Sequence, residues 1–156
     1  VTLFPIESLI PHQAPMRLLE TLRHYDEKSA TCVVTLNETS PFMRQGRINA
    51  LVSMEYLAQC VAAYATLHPA QGKTADPQDQ ALTPAKPRIG YLVGVRRLDL
   101  MAEHFFPGDT LTVTVTHVWG GPQGAQFQGN VQRQGEIVAA ATLTVFVPKD
   151  NFAGEA

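Results

Sequence analysis

Glu55 is the one formal charge in the stretch LVSMEYLAQCVAAYATL, residues 51–67. Everything else there is apolar, small or neutral polar, the pattern of a helix buried on nearly every side. A lone carboxylate inside such a helix loses hydration, which raises its pKa and suits it to giving up a proton. Gln59 comes four residues later, one turn on and on the same helical face. An acid and an amide paired on a buried face form the leading site candidate in the chain.

The histidines supply the other groups able to move a proton near neutral pH. His12 lies in IPHQAPM, and a turn or packing role competes there with a catalytic one. His104 precedes the turn FFPGD, and His117 falls on the apolar parity of its segment, where a core or interface role is expected. His24 and His68 read as exposed. No pair of histidines has metal-ligand spacing with a nearby carboxylate, so neither a metal nor any other cofactor is expected. Cys32 and Cys60 are far apart with no basic neighbour, which reads as two buried thiols in packing roles. The basic cluster Arg96-Arg97, with Lys86 and Arg88 upstream, is either a solvated strand end or a docking patch for an acidic partner. Motifs for a nucleophilic serine, a P-loop or a dinucleotide fold are lacking.

These groups need elements to hold them. The chain has 156 residues, 45% hydrophobic and 17% charged, enough for one globular domain over residues 1–150 with a frayed tail at 151–156. A net charge of -2 gives no overall basic balance for nucleic acid. Ser53, Glu55 and Gln59 interrupt the apolar run, which therefore reads poorly as a membrane span. VTLFPIESLIPH lacks the basic start of a secretory signal, so a cytoplasmic protein is expected. PIESLI predicts a short helix, and residues 18–36 an extended stretch. Asn49 is a fitting N-cap for the long helix to Leu67. Residues 69–87 hold four prolines and predict a surface loop. From residue 90 on, apolar and polar residues alternate across successive segments: Leu111, Val113 and Val115 against threonines, then Ala125, Phe127, Gly129 and Val131 against Gln126, Gln128, Asn130 and Gln132. One apolar helix and a run of antiparallel strands predict an α+β fold in which the sheet curls round the helix. Ala58, Ala62, Ala63 and Ala65 are expected to let the sheet approach closely.

Several segments, in order, resemble the β-hydroxyacyl-ACP dehydratases of the hotdog fold, and most of all those of the aryl polyene pathway. They are IPHQAPMRLLETL, the helix motif MEYLAQ, GYLVGVRRLDL with FFPGDTL, and GEIVAAATLTV, together covering roughly residues 5–147. The resemblance implies a hotdog domain that dehydrates a 3-hydroxyacyl thioester on an acyl carrier protein. It carries over Glu55 as acid and Gln59 as its companion. It also implies that the backbone at Asn49-Ala50 holds the thioester carbonyl, aided by the helix dipole. The fatty-acid enzymes bear their catalytic histidine just before the helix, and here the matching stretch SPFMRQGRINALVS has none. The base is then either His12, repositioned, or a residue of a second hotdog subunit, in a homodimer or heterodimer. The alternatives are a half-site subunit that supports a catalytic partner, and an acyl thioesterase.

Overall fold

Leu111, Val113 and Val115 are each fully buried, while the threonines between them are not, so the period-2 pattern turns one face of that strand to the core. The computed structural model describes residues 4–68, 90–121 and 124–146. After a short 3-10 turn at Ile6–Ser8 come strands β1 (Thr21–Tyr25), β2 (Ser29–Thr35) and β3 (Ile48–Asn49). A 3-10 turn at Ala50–Val52 leads into helix α1 (Ser53–Leu67). Strands β4 (Tyr91–Leu100), β5 (His104–Phe105), β6 (Thr110–Gly120), β7 (Gly124–Arg133) and β8 (Glu136–Phe146) complete the described chain.

Six strands form one antiparallel sheet in the order β1-β2-β6-β7-β8-β4, and β3 pairs with β5 apart from it. The expected α+β arrangement of a curled sheet around one helix is therefore present. Asn49 caps the helical segment as expected: its side-chain oxygen accepts from the Leu51 N–H at 2.9 Å. The cap opens a 3-10 turn rather than the α-helix itself, which starts at Ser53. Ala50–Leu67 is apolar enough by length and composition to cross a membrane, yet 56% of it is buried within the fold. Tyr56, Leu57, Cys60 and Ala63 of α1 face the core, with Phe105, Val113, Phe127, Val131 and Leu143 also in it.

Gly129 of β7 sits directly against the helix. A Cβ there would come within 2.6 Å of Leu57 Cδ2, so glycine is what lets helix and sheet approach this closely. That role was expected of the helix alanines, and the structure corrects the expectation. Only Ala63 is fully buried; Ala58, Ala62 and Ala65 are half-buried and turn away from the main sheet contact. The helix is thus not enclosed on nearly every side: Met54, Glu55, Ala58, Ala62 and Ala65 are only half-buried.

Cys32 and Cys60 lie buried with their sulfurs 3.7 Å apart. Burial pushes the Cys60 thiol well up, which fits a packing role. His117 stacks beside Tyr64 and Phe127. His68, expected to be exposed, instead stacks on Tyr64 and places its two ring nitrogens 2.8 Å from the carbonyls of Tyr64 and Asp26. The proline-rich segment 69–87, Lys86, Arg88 and the tail 151–156 lie outside the described residues.

Candidate active site

The chain between the first 3-10 turn and β1 folds back along α1 as a strap. Ile6, Leu9, Ile10, Leu18 and Leu19 are buried and anchor it to the core. The Gln13 carbonyl accepts from the Met16 and Arg17 N–H groups at 2.8 and 3.0 Å, closing a turn in its middle. Two helix side chains tie it down. Thr66 Oγ1 donates to the Leu9 carbonyl at 2.7 Å. Gln59, fully buried, accepts from the Leu18 N–H at 2.9 Å and donates to the Met16 carbonyl at 2.8 Å. His12 lies between the two ties, and its Nε2 stands 3.4 Å from Glu55 Oε1.

Glu55 Oε1 therefore meets two nitrogens, because Gln59 Nε2 also donates to it at 2.9 Å. Among the described residues Oε2 has no hydrogen-bond partner. The Glu55 side chain is 38% exposed and that of His12 29%, so the pair sits at a surface opening rather than in the interior. The expected upward shift of the Glu55 pKa is not found. The His12 imidazole beside it, and then the Gln59 amide, hold the carboxyl below its ordinary value, outweighing the upward push of partial burial. At rest Glu55 is a carboxylate. His12 Nδ1 is buried and, among the described residues, has no hydrogen-bond partner, so Nε2 is the nitrogen presented at the opening.

A cavity of about 150 Å³ adjoins the pair, and both residues line it. Ala58, Ala62 and Ala65 form its helix side, with Val61 and Pro11, and Leu92 and Val145 face them from β4 and β8. The half-buried alanines thus make room for an apolar guest rather than for the sheet. A volume near 150 Å³ bounded by apolar groups is enough for a benzene-sized group. A larger groove of about 400 Å³ runs past Glu7, Arg17, Glu20 and Asn37, but it is open and polar and touches neither His12 nor Glu55.

The other expected site residues fall elsewhere. The Ala50 N–H, expected to hold a carbonyl, already donates to the Glu103 carbonyl at 2.9 Å. The Asn49 side-chain oxygen is taken up by the cap, and neither residue lines the cavity. Arg97 pairs with Asp99 at 2.7 Å, and Arg96 and Arg97 are both exposed on β4, away from the cavity lining. His104 faces Asn49 across the β3–β5 pair. Among the described residues, no group of three or more His, Cys, Asp or Glu side chains is placed to hold a metal ion. Sequence reasoning missed Pro11, Leu92 and Val145 as cavity walls, since nothing separates them by type from core residues.

A helix wrapped by an antiparallel sheet, with an acid on the helix and an apolar cavity beside it, defines a hotdog-fold protein. The profile of the ApeP-like family, described as ApeP dehydratase, matches residues 4–154, and the chain belongs to that family. The structure is similar to a chain of the dehydratase heterocomplex ApeI:P from Xenorhabdus doucetiae, at a TM-score of 0.80 and 22% identity, over 94% of this chain and 93% of that one. It is also similar in fold to the PaaI protein of E. coli (TM-score 0.60, 14% identity, 83% of this chain and 80% of that one). Thioesterase HI1161 from Haemophilus influenzae is comparable (TM-score 0.59, 12% identity, 86% and 80%). No curated protein matches the sequence. The family supports the expected class of reaction, hydroxyacyl dehydration.

Proposed function

We propose that the chain dehydrates a 3-hydroxyacyl thioester borne on an acyl carrier protein to the trans-2-enoyl thioester, using His12 and Glu55 as the working pair. The observation that carries this reading is the 3.4 Å contact between His12 Nε2 and Glu55 Oε1 at the mouth of an apolar cavity. The reaction removes a proton from C2 and the hydroxyl from C3 as water, so it needs one group to take a proton and one to give it. His12 takes the C2 proton through Nε2, and Glu55 protonates the departing hydroxyl. Glu55 is a carboxylate at rest and must first receive the proton it delivers. Of the two groups touching it, only the imidazole can release one, and the His12–Glu55 contact is the route. Loss of C2–H and gain by the hydroxyl leave the pair with the one proton it began with.

The acyl chain runs from the pair along Ala58, Ala62 and Ala65. The carbonyl donor is unassigned within this chain, since the Ala50 N–H is engaged. A second hotdog subunit is the source we favour for it. The edge strand β4 supports association: Tyr91, Val93 and Leu92 are 50%, 60% and 38% exposed, and among the described residues only one side of β4 is paired. The ApeI:P assembly is a heterocomplex, which makes a different hotdog chain the favoured partner. The test is to purify the protein with and without such a partner and offer it 3-hydroxyacyl and plain acyl carrier-protein thioesters. Enoyl product that disappears in His12→Ala and Glu55→Gln supports the reading. Release of free acid from both substrates, with no enoyl product, replaces it with a thioesterase.

A further inference from the structure

We infer that Gln59 is a positioning residue, one that holds the two halves of the His12–Glu55 pair in register without touching the substrate. The inference rests on the reading of that pair as the reacting groups, and it assigns Gln59 a different part from the catalytic one its place on the helix suggests. Three hydrogen bonds occupy the amide. Its oxygen accepts from the Leu18 N–H at 2.9 Å, and its nitrogen donates to the Met16 carbonyl at 2.8 Å and to Glu55 Oε1 at 2.9 Å. Both N–H bonds are thereby used. The side chain has no exposed surface, and it is missing from the cavity lining that includes Glu55 one turn away. A substrate cannot reach it.

What the amide does instead follows from where its partners lead. Met16 and Leu18 belong to the strap that carries His12; Glu55 belongs to the helix. Forty-three residues separate Met16 from Gln59, so nothing local fixes the strap to this turn of the helix. One buried amide bridges them, and loss of a buried hydrogen-bonded group leaves its partners unsatisfied rather than merely weaker. The same amide donates to Oε1, the oxygen that also faces His12. Oε1 is thereby the oxygen that takes the proton from His12 and passes it to the substrate hydroxyl. Gln59 thus decides which carboxylate oxygen works, stabilises the anion between turnovers, and keeps His12 within reach of it.

The experiment titrates Glu55 directly. Protein carrying ¹³C-labelled glutamate carboxyls is followed by NMR across pH, with Glu55→Gln identifying the signal, in the wild type, Gln59→Met and Gln59→Glu. Gln59→Met keeps length and volume but removes the donor, and the Glu55 titration is expected to move to higher pH. Gln59→Glu keeps the acceptor for the Leu18 N–H and is the second variant where Gln59→Met fails to fold. Its added carboxyl facing Glu55 also moves the titration up. Rate measurements on the same proteins are expected to show kcat lowered about 10–100-fold with KM within about threefold, and the acid limb of kcat moved upward with the titration. A purely structural amide would lower the melting temperature and leave the titration where it was, which overturns the inference. So does a KM raised tenfold at unchanged kcat, since that marks an amide that binds substrate. The NMR titration needs no turnover, so it reads the bridge even if no thioester is dehydrated, an outcome that would fail the functional reading alone.

Discussion

His12 Nε2 and Glu55 Oε1 face each other at 3.4 Å within a single chain, forty-three residues apart in sequence. Their meeting places both members of the proposed proton-handling pair on one polypeptide. The pair depends on the strap rather than on a neighbouring subunit, and it decides how mixtures of variants behave.

Chains carrying Glu55→Gln and chains carrying His12→Ala, denatured and refolded together, are expected to show no more activity than either parent. A site split between subunits would rebuild one intact pair per mixed dimer and recover turnover. Enoyl formation above the parental level in the mixture would refute the in-chain pair.

Glu55→Gln preserves shape and removes the ionisable group. Dehydration is expected to fall by roughly 10²–10⁴-fold, the usual worth of a placed proton donor. The melting temperature stays within a few degrees of the wild type, because the carboxyl is 38% exposed. Turnover near the wild-type rate would remove Glu55 from the mechanism.

The acid side of the stability curve reports the same contact. Glu55 titrates below its unfolded value in the folded protein, so its contribution is present above the unfolded pKa and is lost as pH falls through the folded one. His12→Ala removes the larger of the two stabilising neighbours. The melting temperature of that variant is expected to fall less than that of the wild type between neutral pH and pH about 3. Parallel curves for the two proteins would show that the contact does not form in solution.

Ala62→Leu fills the middle of the cavity, about 10 Å along the helix axis from Glu55. Substrates with a ten-carbon acyl chain are expected to lose about 10–200-fold in kcat/KM relative to four-carbon ones, the range for a misfitted methylene in an apolar pocket. Equal losses at both lengths would mean that the chain lies elsewhere.

Gly129→Ala drives a methyl into Leu57 Cδ2 and is expected to destabilise the protein by about 1–3 kcal/mol in denaturant melts. Combined with Leu57→Ala the cost is expected to be less than the sum of the two single changes, since each relieves the other. Strict additivity would show that the two residues do not touch.

The strands and the helix could be read from the sequence because their periods are local. Leu111, Val113 and Val115 announce a buried face with no knowledge of what covers it. The acid was equally plain, as the one charge in an apolar helix. What surrounds the acid was not. The histidine comes from a segment whose path is fixed by hydrogen bonds from Gln59 and Thr66 to backbone atoms far away in sequence, and backbone partners leave no trace in residue type. The sign of the Glu55 shift followed from that same path. Desolvation alone predicted a rise; the His12 nitrogen brought in by tertiary structure, with the Gln59 amide one helical turn away, reversed it. The alanines were ambiguous in kind, because a small side chain serves close packing and an open cavity equally well.

The side of β4 that is unpaired among the described residues also bears on how the protein must be made. A strand with Tyr91, Leu92 and Val93 exposed is a template for pairing with any extended chain it meets. Copies synthesised in excess of whatever normally covers that edge would pair wrongly with one another or with nascent chains. With the proposed second subunit as cover, production of the two chains close by and in matched amounts is the condition under which such an edge does no harm, a demand on synthesis that the active site by itself does not make.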